Sequence, residues 1–168
     1  VPISRRIGKR STFAVSCIGM AILSCFFFYL PCTNVGFVTM LLLQILISVC
    51  TGIISPLIWS MYADVADYAA IKDNTSSTGL IFSSGSMAQK FGGAIAGSAV
   101  LWLFASFGLV PNALHQTDSA ILGMKLTMSY IPAVVAVIMV VIMVVYPLTK
   151  SKMKDINAKL KDIRKIEY

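Results

Sequence analysis

Lys90 is the side chain around which the chemistry of this chain turns. It lies inside Thr78–Leu103, TGLIFSSGSMAQKFGGAIAGSAVLWL, a run of mostly small or apolar residues long enough to cross a bilayer. At about 1.5 Å per residue, Lys90 is roughly 16–18 Å from the polar start of the run, near the bilayer midplane. An ammonium at that depth costs at least ~2.5–3.5 kcal/mol. It is too far from either end to snorkel easily to the interface. A carboxylate, a water-filled cavity or a polar ligand must offset the cost.

Its neighbours at helical spacing have a matching character. Ser83, Ser86, Lys90, Gly93 and Gly97 fall on one face, with Gln89 beside Lys90. The first half of that stripe is polar. The second half, Gly93-x-x-x-Gly97, is a small-residue face that lets another helix approach. One reading is a pathway-lining helix in which Lys90 binds substrate or couples it to an ion. The other is a structural ion pair inside a helix bundle.

Composition sets the solvent. Of 168 residues, 57% are hydrophobic and only 12% charged, where a soluble domain of this size carries about 25%. With mean hydropathy +0.82, the chain is expected to be an all-α integral membrane protein. The net charge of +7 is concentrated at the two ends. It therefore reports orientation and does not point to nucleic-acid binding.

Four membrane helices are expected, at about 12–30, 36–62, 78–107 and 120–146, within a membrane domain over 1–147. Pro31 ends the first, and Pro56 and Pro132 are expected to kink the second and fourth. Gln44 and Gly52 lie inside the second, and Trp59 and Tyr62 suit an interface. Residues 148–168 carry seven Lys/Arg, with Met153, Ile156, Leu160 and Ile163 at helical period. They read as a basic amphipathic helix along the membrane surface. The first loop contributes Arg5, Arg6, Lys9 and Arg10 and the middle loop Lys72, while the two remaining loops have no Lys or Arg. This places both termini in the cytoplasm, in a multi-pass protein of the cell membrane.

Asp64 and Asp67 share a face if the second helix continues through Ala63–Ser77. The rest of the chemistry is thin. Cys17, Cys25, Cys32 and Cys50 form no CxxC and read as small hydrophobes, without a metal site. His115 is a lone loop histidine, and Lys125 can snorkel from near a helix end. The fragments around Ser83–Ser86 lack the strand, histidine and acid of a nucleophile, and no phosphate loop occurs. The chain reads as a non-enzyme without a resident cofactor. Ile22-Leu23-Ser24-Cys25 imitates a lipoprotein box, but the apolar run continues past it and is too long for a signal core.

The segment Trp59–Asn112 contains WSMYADVADYAAIK, STGLIFSSGSMAQKFGGAIAG and FGLVPN in order. It resembles the glycoside–pentoside–hexuronide:cation symporters, the melibiose-permease family of the major facilitator superfamily. YPLTKSKMKDI and SRRIGKR extend the likeness across essentially the whole chain. The resemblance implies helices nine to twelve of a twelve-helix transporter that moves a sugar or glycoside with Na⁺ or H⁺. It matches Lys90 to a cavity-facing lysine implicated in sugar binding and coupling, and Ser86 to a position close to the sugar. Gln89 and Ser83 join them from spacing alone. Asp64, Asp67 and Tyr68 match a DxxDY pattern associated with closure of the inner gate. Where such proteins often carry basic residues after that motif, this chain has Asp73-Asn74-Thr75-Ser76-Ser77, so a gate pair using those charges is absent.

The same likeness places the cation-coordinating acids and much of the sugar site in an N-terminal half that this chain does not contain. Beginning at Val1 in mid-loop, the chain is expected to be a piece of a longer polypeptide and not to transport alone. Membrane lipid, a sugar or glycoside, and that N-terminal half are the expected partners. Two other functions stay open. One is a facilitator of an anionic solute drawn to Lys90. The other is a four-helix accessory or scaffolding membrane protein.

Overall fold

The computed structural model describes residues 8–31, 33–73, 77–113 and 115–166, with the side chains of 73 and 160–166 left aside. Arg5, Arg6, Cys32, Asn74, Thr75, Ser76 and Glu167, all used in the sequence reading, lie outside the described residues. So do the side chains of Leu160 and Ile163.

The described chain is helical, with α1 Lys9–Phe28, α2 Asn34–Asp73, α3 Thr78–Ser106, α4 Asp118–Met128, α5 Tyr130–Val145 and α6 Lys150–Ile166. No strand occurs among the described residues. This is an all-α membrane protein. Its surface carries long apolar side chains such as Val35, Phe37, Leu42, Val141 and Ile142, an arrangement that lipid accepts and water does not.

Several elements depart from the expected bounds. The first helix begins at Lys9, ahead of Thr12, so Lys9 and Arg10 are helical and not part of a loop. Gly8 precedes it at φ 99, and its carbonyl accepts from both Thr12 N (3.0 Å) and Thr12 Oγ1 (2.9 Å). The second helix does not stop at 62. It runs on to Asp73 as one 40-residue element that continues through Pro56. α3 ends where Gly108, at φ 73, turns the chain back and donates its N–H to Ala105 O.

The expected fourth helix is two. Pro132 cannot donate to Met128 O, and the chain leaves helical geometry at Ser129 (φ −113, ψ −78), one turn ahead of the proline. Ser129 is fully buried, and its hydroxyl donates to Lys125 O at 2.5 Å. Thr117 caps the start of α4, accepting from Ala120 N at 3.2 Å.

The core joins three helices: Phe13 and Cys17 of α1, Ile54, Leu57 and Met61 of α2, and Ala136 of α5. α1 is sandwiched between α2 and α5. Gly19 allows the close approach, since a Cβ there would stand 3.6 Å from Cys50 Sγ. α3 hangs at the edge, with Gly85 as its one buried described residue.

Length and composition qualify Lys9–Phe28, Asn34–Lys72 and Asp118–Val145 as membrane spans. That makes three among the described residues, where four were expected. α3 has the length, at 29 residues. Lys90, Gln89, its serines and its glycines keep its hydropathy too low. The polarity that makes α3 interesting is what disqualifies it by apolarity.

The tail also differs from a helix lying free on a membrane surface. Ile156 is buried, Met153 is half-buried, and α6 packs against α2. Leu148 in the connecting strap is buried as well.

Candidate functional site

Two sites emerge from the residues singled out by sequence, one on the flank of α3 and one at the end of the bundle that holds Lys9.

α3 is docked at both ends and free between them. Near its start, Phe82 stacks on Trp59 of α2 with centroids 6.1 Å apart and 15° between planes. Tyr62 meets Phe82 edge-on and lies over Gly85. A Cβ at Gly85 would come within 2.5 Å of the Tyr62 ring, so glycine is what lets the helices meet there. Near its other end, Phe107 lies over Gly123 of α4 in the same manner.

Between these contacts, Ser83, Ser86, Met87, Lys90 and Phe91 line one open groove of about 350 Å³. Lys90 is exposed, and no described residue pairs with it. The structural ion pair therefore has no acid to draw on among the described residues. Ser83 is partly occupied, its hydroxyl donating to Leu80 O at 3.0 Å. Gln89 is exposed but lies beside the groove and not in its lining. Nothing stands within 4 Å of a Cβ at Gly93 or Gly97, so their face is uncovered here.

The second site is built from four elements. Lys9 Nζ lies 2.7 Å from both carboxylate oxygens of Asp64 and donates to Ser60 O at 3.2 Å. The Asp64 side chain is 13% exposed and that of Lys9 36%. Arg10 Nη2 donates to Val144 O at 2.7 Å, satisfying a carbonyl at the end of α5. Tyr146 follows, its hydroxyl oxygen buried and without a partner. Burial, with the Asp64 charge adding to it, pushes the Tyr146 phenol up to about 12. Lys9, Asp64, Lys150, Met153 and Asn157 enclose a space of about 190 Å³ beneath α6.

The DxxDY residues are not gathered into one cluster. Asp64 is engaged by α1, whereas Asp67 and Tyr68 make no ion pair among the described residues, and Tyr68 is exposed. Lys9 as the partner of Asp64 was missed by sequence reasoning. The pair spans 55 positions, and the only signal was that both lie at helix ends expected on one side of the membrane. Tyr146 gave no signal, because nothing in its spacing marks a buried hydroxyl. No group of three His, Cys, Asp or Glu among the described residues could hold a metal ion.

Long apolar spans, one of them broken beside a proline, and an adjacent helix with an open polar groove define a polytopic membrane protein of the transporter type. The family model described as MFS/sugar transport protein matches residues 1–150, and the chain belongs to that family. It is a family of transporters and not of enzymes.

The chain is 28% identical over 96% of its length to a glucuronide carrier protein homolog of Escherichia coli (strain K12), covering 35% of that protein. It is 29% identical over 97% of its length to an uncharacterized 29.9 kDa protein of Pseudescherichia vulneris, covering 59% of it. It is 24% identical over 92% of its length to the putative glycoside/cation symporter YagG of Escherichia coli (strain K12), covering 33% of it. The chain thus spans between a third and three fifths of the length of these relatives. No solved structure matches it.

Proposed function

We propose that this chain is the C-terminal part of a cation-coupled sugar or glycoside symporter that works by alternating access. Residues 1–147 form part of the membrane bundle, and 148–168 form a basic tail on the cytoplasmic side with the N-terminus. The observation that carries the reading is the Lys90 groove: a bare ammonium, near mid-depth of a 29-residue helix, without a carboxylate among the described residues. Such a group needs water, a ligand or an acid from elsewhere in the protein. In a sugar transporter, ligand hydroxyls supply acceptors in one state and water or an acid in the other.

In this reading Lys90 and Ser86 touch the sugar, with Ser83 and Gln89 flanking. Gly93 and Gly97 receive a helix of the N-terminal half. Na⁺ or H⁺ binds mostly in that half and is felt through Lys90. Asp64 is held by Lys9 within one bundle, so rigid-body rocking leaves this pair intact. Asp67 and Tyr68 are then the gate residues that meet the other bundle and part from it. A second reading gains from Lys90 and from one relative's name: a hexuronide carries a carboxylate, which would pair with the ammonium directly.

The test is uptake of labelled glycosides by the full-length transporter with and without a Na⁺ or proton gradient. Neutral glycosides and hexuronides are compared. Gradient-driven uptake that Lys90→Ala abolishes supports the symporter reading. Uptake that persists unchanged in Lys90→Ala contradicts it.

A further inference from the structure

α2 carries a polar face that nothing above uses. Gln44, Ser48, Thr51 and Ser55 follow one another at helical spacing and are all exposed. Leu41, Gln44, Ile45, Ser48 and Val49 line a groove of about 510 Å³. This face lies away from Ile54, Leu57 and Met61, which are buried against the rest of the bundle. By register it is the face that, further along α2, presents Trp59 and Tyr62 to Phe82 and Gly85 of α3. Beyond that aromatic junction the helices part, since Gly92, Gly93 and Gly97 of α3 meet nothing within 4 Å. The result is a cleft with a polar stripe on each wall.

The polar atoms in the stripe are not equally occupied. Thr51 spends its hydroxyl on Ile47 O at 2.8 Å. The Gln44 amide and the Ser48 hydroxyl have no hydrogen-bond partner among the described residues. Gln44 lies about 15 Å along the helix from Asn34, where lipid offers no hydrogen bond. An amide with two donors and an acceptor at that depth needs water or a polar ligand.

From the proposed transport role, which this inference deepens, we infer that Gln44 and Ser48 form a second sugar subsite, binding the outer unit of a two-unit glycoside whose first unit lies at Lys90. The spacing fits. Trp59 beside Phe82 and Tyr62 beside Gly85 set the antiparallel register, which brings Lys90 level with the stretch near Ile54. Ser48 and Gln44 are then about 9 and 15 Å further along the helix axis. That is the reach of a second sugar ring and not of a single one. Gln44 donates to and accepts from ring hydroxyls, and Ser48 supplies one more hydroxyl contact.

The experiment uses the full-length transporter and two labelled substrates, a two-unit glycoside and the methyl glycoside of its inner unit. Gln44→Leu and Ser48→Ala are each expected to raise KM for the two-unit substrate by about tenfold, the factor one lost ligand hydrogen bond supplies. KM for the methyl glycoside should stay within twofold. Equal effects on both substrates, or none on either, would overturn the subsite. Gln44→Cys in a background without other cysteines adds a readout independent of uptake. Labelling by a hydrophilic maleimide should occur and be slowed by the two-unit glycoside alone. Absence of labelling from either side of the membrane would place Gln44 against protein and sink the proposal. Lys90→Ala serves as the separate control: if it leaves uptake of both substrates intact, the transport reading itself has failed.

Discussion

Removing Lys9 is the sharpest perturbation the structure allows at the Lys9 end of the bundle. Its ammonium lies 2.7 Å from both oxygens of Asp64. At that separation and an effective dielectric near 20, the gross attraction is about 6 kcal/mol. Desolvation of a carboxylate that is 13% exposed takes back much of this, and Lys9, at 36%, is partly screened by solvent. A net contribution of about 1–3 kcal/mol remains, or roughly a 5–150-fold change in an opening equilibrium. The pair ties the first turn of α1 to α2, so its loss should appear there first. In Lys9→Ala of the full-length protein, amide protons of residues 12–16 should exchange about 5–150-fold faster. Those around Ala136 should hardly change. Asp64→Ala should match it, and the double variant should add little to either. Strictly additive effects of the two substitutions would show that the ion pair is not what holds the turn.

Other consequences can be checked in the same protein. Gly85→Leu drives a side chain into the Tyr62 ring, where even a Cβ would stand at 2.5 Å; it should lower the thermal midpoint of the detergent-solubilised protein, at a cost of about 1–3 kcal/mol, and Tyr62→Ala should restore part of the loss. Pro132→Ala returns a donor to Met128 O, and Pro132-linked exchange protection at Ser129–Ala133 should rise as α4 and α5 merge. Tyr146, pushed up to about 12 mainly by burial, is raised above its unfolded value near 10. Its contribution to stability is therefore complete below pH 10 and lost as pH climbs from about 10 to 12. Melting of the wild type minus that of Tyr146→Phe should show that alkaline step, and a flat difference would refute it.

The sequence carried the membrane class and the polar stripe of α3 because both depend on composition and local period. Lys90 stands out in its run whatever surrounds it, and its groove contains the serines at three- and four-residue spacing. Helix ends were less legible. A polar stretch such as Ala63–Lys72 looks like a loop, yet α2 runs through it because it has partners there: Asp64 has Lys9, and α6 packs on it. The break at Ser129 was displaced from the proline that causes it, because the lost donor belongs to Pro132 and the orphaned acceptor to Met128. The tail's apolar period is as suited to a protein surface as to a lipid one, and only Ile156 against the bundle decides between them. Tertiary pairs such as Lys9 with Asp64, and Gly85 with Tyr62, leave no mark in local pattern.

The measurement closest to the central claim is substrate protection at position 90. In the full-length transporter without other cysteines, Lys90→Cys is treated with a hydrophilic thiol reagent in the presence and absence of glycoside. If α3 lines the pathway, the reagent reaches position 90 and glycoside slows labelling in a saturable way. Labelling that only a lipid-soluble reagent achieves, with no effect of any glycoside, would show that this face of α3 meets lipid or protein and would contradict the account.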